Sequence, residues 1–102
     1  MIFRRSKYAT VIDAQLDLFL REHRDVLEDV ATRLEQYNAA ERDEAEELYG
    51  DYVDAVETGT ELLADLRDNY AQTLDDPEPY LRVFNRAVAK RLPEYALEIE
   101  NR

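Results

Sequence analysis

Cysteine and tryptophan are missing from this chain of 102 residues, and serine, histidine, glycine and proline are scarce. Without cysteine there is no disulfide, no thiolate metal site and no cysteine nucleophile. Ser6 and His23 are the single serine and the single histidine, so a serine triad is not expected. Two glycines and three prolines are too few for a turn-rich β fold, and the composition therefore favours an all-α protein.

Long apolar runs are also missing. No segment approaches the roughly 18 apolar residues of a membrane span. The basic residues Arg4, Arg5 and Lys7 are not followed by an uncharged stretch of signal-peptide length. We therefore expect one domain, residues 1–102, with no membrane contact and a cytoplasmic location.

Acidic residues dominate the charge, which is −11 overall. Residues 1–10 carry +3, residues 11–74 carry −13 and residues 75–102 carry −1. Because phosphate binding needs a basic footprint, direct nucleic-acid binding is not expected. Eleven arginines against two lysines are typical of a GC-rich genome or a salt-adapted organism. The acidity therefore has two interpretations, adaptation of the whole surface to salt or a binding surface.

The clearest pattern is a heptad-like apolar seam between residues 41 and 73, which predicts one long helix of the coiled-coil type. Its positions alternate between spacings of four and three. They are Ala45, Tyr49, Tyr52, Val56, Gly59, Leu63, Leu66, Tyr70 and Thr73.

An acidic face lies about 200° around the same helix from the seam. Like charges at spacings of three and four oppose helix formation by about 0.2 to 0.5 kcal/mol per pair, so solvent salt, cations or a basic partner should offset the repulsion. This acidic face comprises Glu44, Glu47, Asp51, Asp54, Glu61, Asp65 and Asp68.

A first amphipathic helix is predicted over residues 10–37, and Asn38 marks a short turn. A short connection predicts antiparallel packing against residues 41–73, so residues 9–74 form a helical hairpin. With the turn centred near residue 38.5, Phe19 faces Gly59 and His23 lies between Tyr52 and Val56. Gly59 then accepts the Phe19 ring in close packing, and the alternative is a local kink there.

A third helix is predicted over residues 76–100, with Asp76 as its cap and Pro77 at its first position. Pro93 interrupts it, either as a kink or as the start of a short fourth helix. The apolar face continues past this break and comprises Leu81, Phe84, Val88, Leu92, Tyr95 and Ile99. The expected fold is a three-helix bundle, or a four-helix-type bundle on dimerisation, preceded by a basic N-terminal arm of residues 1–8.

No catalytic, cofactor or metal constellation is present in the sequence. Leu20, three residues before His23, breaks the Glu-x-x-His motif of di-iron bundles. A histidine at a seam position is expected to pack in the core, beside a neighbour such as Tyr52. Gly50 and Gly59 are nine residues apart and cannot form a phosphate loop. We expect no enzymatic activity, no cofactor and no metal.

The predicted function is protein interaction. If the third helix ends at Pro93, it covers half of the hairpin and leaves the end beside the turn exposed, with Val26, Val30, Tyr49 and Tyr52. Pairing of two such ends predicts a homodimer, whereas continuation of the chain along the hairpin predicts a self-sufficient monomer. The alternative function is an anionic decoy or inhibitor that occupies the basic groove of a nucleic-acid-binding protein.

Overall fold

The computed structural model describes residues 7–102, so residues 1–6 of the predicted basic arm lie outside the described part. Residues 7–102 are all-helical, as predicted, and contain no strand. The five α-helices are α1 (Ala9–Glu22), α2 (Arg24–Asn38), α3 (Ala45–Ala71), α4 (Glu78–Arg91) and α5 (Ala96–Glu100), with a 3-10 turn at Pro93–Tyr95.

The predicted first helix is divided at His23, whose backbone leaves the helical region at φ −120° and ψ 36°. The His23 N–H still donates to the Phe19 carbonyl, while the His23 carbonyl accepts from the N–H groups of Val26 and Leu27. These three bonds are local and keep the end of α1 and the start of α2 hydrogen-bonded on both sides of His23. Neither proline nor glycine marks this break, and the periodicity alone therefore predicted one helix.

α2 and α3 pack against each other in an antiparallel manner, but about two helical turns away from the predicted register. Arg33 contacts Asp51, and the ring of Tyr37 contacts that of Tyr49. The reason is the connection: residues 39–44 stay outside both helices, which moves the centre of the turn from 38.5 to between residues 41 and 42. In the new register His23 adjoins Leu62 and Leu66, so its predicted position between Tyr52 and Val56 is wrong.

Gly59 is a close-packing site, as predicted, but its partner is Tyr95 and not Phe19. A Cβ atom on Gly59 would lie 2.5 Å from both the Cε1 atom and the hydroxyl oxygen of the Tyr95 ring. α3 continues through this position as one helix, Ala45–Ala71. Phe19 is buried elsewhere, on α1 beside Leu62 and Leu66.

The apolar face of α4 and α5 forms the centre of the core. Phe84, Val88, Leu92, Tyr95 and Ile99 are buried, in agreement with the predicted face, and they pack with Ile12, Leu16 and Leu63. Leu81 is half-buried, and the adjacent Tyr80 is fully buried. The Tyr80 hydroxyl donates to Gln15 Oε1 over 3.0 Å, which satisfies it in an otherwise apolar setting.

Arg67 is a buried cation that joins three helices, with 4% of its surface exposed. Its Nε donates to Asp68 Oδ1 over 2.8 Å, and its Nη1 donates to Asn85 Oδ1 and to the Ile99 carbonyl, each over 3.0 Å. These bonds offset the desolvation of the guanidinium. They also tie α3 to both α4 and α5.

Pro93 ends α4 and begins the 3-10 turn, which agrees with the predicted alternative of a new short helix. Leu92 adopts φ −135° and ψ 66°, outside the helical region that proline disfavours for the residue before it. α5 then packs against α3 and α4 instead of extending the line of α4. The molecule is elongated, with extents of 51 × 33 × 23 Å, and its shortest dimension corresponds to two helix layers.

The two glycines of α3 provide a matched test of the Tyr95 contact. Gly59→Ala gains about 1 kcal/mol of helix propensity, but the new methyl overlaps the Tyr95 ring, and overpacking costs roughly 1 to 3 kcal/mol. We expect urea unfolding to show a net loss of stability. Gly50→Ala is the control, because nothing lies within 4 Å of its Cβ and only the propensity gain remains. Equal stabilisation by both substitutions would contradict the Tyr95 contact.

Candidate functional site

The four predicted interface residues differ in exposure. Val30 is buried in the core of the single chain, Val26 and Tyr52 are half-buried, and Tyr49 is 51% exposed. The Tyr49 ring bridges the two helices, with its centroid 5.2 Å from Tyr37 and 6.3 Å from Tyr52. The structure thus places tyrosines from α2 and α3 in one partly exposed cluster at the end of the helix pair.

This end of α2 and α3 lacks a core of its own. Every buried residue of α3 lies at or after Ala55, and on α2 Val30 is the buried residue. Residues 31–38 and 45–54 therefore have no buried side chain. We call this region the two-helix end.

A groove with a volume of about 320 Å³ lies between α3 and α5 beside the two-helix end. Tyr49, Val53 and Leu97 are three of the four large hydrophobic side chains exposed in residues 7–102, and all three line it. The fourth, Leu18, lies on α1. The α3–α5 groove, as we name it, is lined by Tyr49, Tyr52, Val53, Val56, Glu57, Glu94, Leu97 and Glu98.

Carboxylates surround the apolar floor of the α3–α5 groove. Glu57 and Glu94 are exposed, and Glu98 is half-buried. Arg102 contacts Glu57 over 3.7 Å, whereas Glu94 and Glu98 have no ion pair within the described residues. The groove therefore combines an apolar surface with a negative edge, which suits an occupant that is both apolar and basic.

Sequence reasoning missed the α5 side of this groove. Leu97 occupies the side of α5 opposite the buried Tyr95 and Ile99, so the available signal was an apolar residue on a polar face. The position of α5 against α3 depends on the turn at Pro93, whose direction the sequence pattern does not specify.

The acidic face of α3 lies on the surface, with partial pairing inside the chain. Asp51 is half-buried and lies 3.8 Å from Arg33, and Asp68 pairs with Arg67. Five of its carboxylates are exposed and have no ion pair within residues 7–102. These five are Glu44, Glu47, Asp54, Glu61 and Asp65.

Side chains that could take part in catalysis or bind a metal ion do not come together in the described part of the chain. His23 is half-buried at the junction of α1 and α2, with its ring 5.2 Å from that of Phe19. Residues 7–102 contain no group of three or more His, Asp or Glu side chains arranged to hold a metal ion. No helix among these residues combines the length and apolar character that crossing a membrane requires.

Two buried tyrosines have strongly perturbed ionisation. Burial raises the pKa of Tyr80 to about 12, against a smaller opposing effect of its hydrogen bond with Gln15. Burial also raises the pKa of Tyr95 to about 12, and its hydroxyl has no hydrogen-bond partner within the described residues. Tyr95 therefore keeps its place by ring packing on Gly59 and not by hydrogen bonding.

In comparisons with protein-family models, curated proteins and solved structures, nothing matches this chain.

The buried tyrosines lead to opposite expectations for removal of a hydroxyl. Tyr80→Phe deletes a hydrogen bond and should cost about 1 kcal/mol of unfolding free energy, whereas Tyr95→Phe deletes an unpaired buried hydroxyl and should be neutral or stabilising. Urea unfolding at neutral pH measures both. An equal loss in the two variants would contradict this assignment.

The same two residues predict a loss of stability in alkali. Both pKa values rise from 10 to about 12 in the folded chain, so between these pH values the unfolded chain binds fewer protons. The contribution of these two groups to the free energy of unfolding is therefore fully present below pH 10 and is lost as the pH rises towards 12. Tyrosinate absorbance should show two of the seven tyrosines titrating late and together with unfolding. A single transition near the ordinary value would refute the prediction.

Proposed function

We propose that this protein is a non-catalytic assembly module that binds a second copy of itself through the two-helix end and the adjoining α3–α5 groove. The resulting homodimer brings four long helices together as a four-helix-type bundle. The observation that carries the proposal is the convergence of Tyr49, Val53 and Leu97 on one groove. Leu97 is 71% exposed and Val53 is 39% exposed, so burial of this cluster would gain hydrophobic free energy.

The shape of the chain supports the same surface. The two-helix end has no buried side chains and so resembles half of a helical bundle. The two-helix end of a second copy would supply the other half. Tyrosines favour such interfaces because the ring gives apolar contact while the hydroxyl stays hydrated at the edge. Tyr37, Tyr49 and Tyr52 provide this combination at the two-helix end.

Substitution of Tyr52 by lysine tests this surface. Tyr52→Lys places an ammonium group in the groove, and a dimer that buries this position should dissociate. Leu97→Lys should do the same with little effect on folding, because Leu97 is mostly solvent-exposed in the single chain. Sedimentation velocity gives the mass, and circular dichroism confirms that each variant is folded.

Leu18→Lys is the matched control, because Leu18 is also an exposed large hydrophobic residue but lies on α1 outside the groove. It should remain a dimer. If folded Tyr52→Lys and Leu97→Lys proteins both sediment as dimers, the proposed interface is wrong.

The unpaired acidic residues of α3 support a second candidate, an anionic decoy for a basic nucleic-acid-binding protein. Asp54, Glu61 and Asp65 are exposed on one helix and have no ion pair within the described residues. A regular row of carboxylates resembles the charge spacing of a phosphate backbone more than scattered charges do. In this candidate the partner is a basic protein and the apolar groove has no role.

Charge reversal distinguishes the two candidates. The decoy predicts capture of a basic partner at low salt, competition by duplex DNA, and loss of capture in the variant with Asp54, Glu61 and Asp65 changed to lysine. The assembly module predicts that this variant still dimerises. Capture that is insensitive to both DNA and charge reversal would exclude the decoy.

A further inference from the structure

A single basic residue lies at the tip of the two-helix end. Between Arg33 and Arg67 the sequence contains eleven carboxylates and one basic residue, Arg42. Arg42 is exposed in the connection between α2 and α3, and it has no ion pair within the described part of the chain. Arg33, the preceding cation, already contacts Asp29 and Asp51. Arg42 is therefore available to a carboxylate of another molecule.

Glu94 is an unpaired carboxylate between two cavities that adjoin the two-helix end. It is exposed in the 3-10 turn and lines both the α3–α5 groove and a second cavity of about 480 Å³ on the α2 side of the turn. Leu34 and Leu92 give this second cavity an apolar lining. Arg91, the nearest cation along the chain, donates to Asp17 over 2.7 Å. Glu94 therefore has apolar surface on both sides but no ion pair within the described residues.

The length of the two-helix end determines how far two copies overlap. Residues 45–54 of α3 have no buried side chain, and Tyr49 lies at the centre of this stretch. Antiparallel pairing that buries the whole stretch in both copies therefore places the two-fold axis beside Tyr49. Arg42 precedes Tyr49 by seven residues, roughly 10 Å along the helix axis, and Val56 follows it by the same distance. The tip of each copy then lies level with Val56 of the other copy, which lines the groove together with Glu94.

We propose that two copies pair in an antiparallel manner through their two-helix ends, with Arg42 of each copy bound to Glu94 of the other. This inference rests on the proposed self-assembly and identifies the contact that sets its direction. Two-fold symmetry forms the contact twice. A parallel pairing would instead bring the two Arg42 side chains together and leave both Glu94 carboxylates without a cation. The apolar contacts hold the copies together, and this ion pair selects the antiparallel arrangement.

Charge reversal in the full-length chain tests the inference. Arg42→Glu and Glu94→Arg each place like charges at both contacts, so each should raise the dimer dissociation constant at low salt by at least tenfold, which corresponds to about 1.4 kcal/mol. Sedimentation equilibrium measures the constant, and circular dichroism shows that the variants are folded. Arg86→Glu is the matched control for Arg42→Glu, since it makes the same charge change on an exposed residue of α4 and should leave the constant unchanged.

Mixing the two variants shows whether the ion pair joins different copies. In a heterodimer of Arg42→Glu with Glu94→Arg, each of the two contacts again joins one cation and one carboxylate. Fluorescently labelled Glu94→Arg protein should therefore bind Arg42→Glu protein with the wild-type dissociation constant. It should bind Arg86→Glu protein more weakly, because that variant has the same net charge but retains Arg42. Equal binding of the two proteins would overturn the inference.

Two further outcomes separate this inference from the proposed function. A dimer that Arg42→Glu and Glu94→Arg both retain, and that Tyr52→Lys disrupts, would overturn the ion pair but not the assembly function. A wild-type monomer at all concentrations would overturn both.

Discussion

The contact between the Tyr95 ring and the backbone of Gly59 determines how the C-terminal part of this protein is placed. Pro93 ends α4, and the following turn brings Tyr95 onto α3 at the position where a side chain would block it. The Tyr95 hydroxyl has no hydrogen-bond partner within residues 7–102, so the ring is held by shape. α5 follows from this placement, and with it Glu94, Leu97 and Glu98, which form one wall of the α3–α5 groove.

Arg67 complements this contact with directional bonds. Its guanidinium joins Asp68 on α3, Asn85 on α4 and the Ile99 carbonyl on α5. A buried cation contributes less to net stability than to the choice of one arrangement, because any displacement of α5 would leave its N–H groups unpaired. The close packing of Tyr95 on Gly59 and the hydrogen bonds of Arg67 together fix the position of α5, which forms one side of the α3–α5 groove.

The all-helical class, the break at Pro93 and the close packing at Gly59 could be predicted from periodicity and residue type. The register of α2 on α3 could not, because the charged residues 41–44 continue the helical pattern although they lie in the connection. The burial of Arg67 was not predicted, because a charged side chain is ordinarily expected at the surface. Arg67 nevertheless follows Leu63 by one turn on the buried side of α3. Leu97 and the groove depend on the direction of the chain after Pro93, which arises from tertiary contacts.

The interpretation of the α3–α5 groove and the two-helix end as an assembly surface is tested most directly by the molar mass of the wild-type protein. Light scattering coupled to size exclusion, at low salt and at molar salt, gives this mass without any substitution. The account predicts a dimer at both salt concentrations, because burial of Tyr49, Val53 and Leu97 is an apolar contact that salt does not screen. A folded monomer at low salt over the whole concentration range would contradict it.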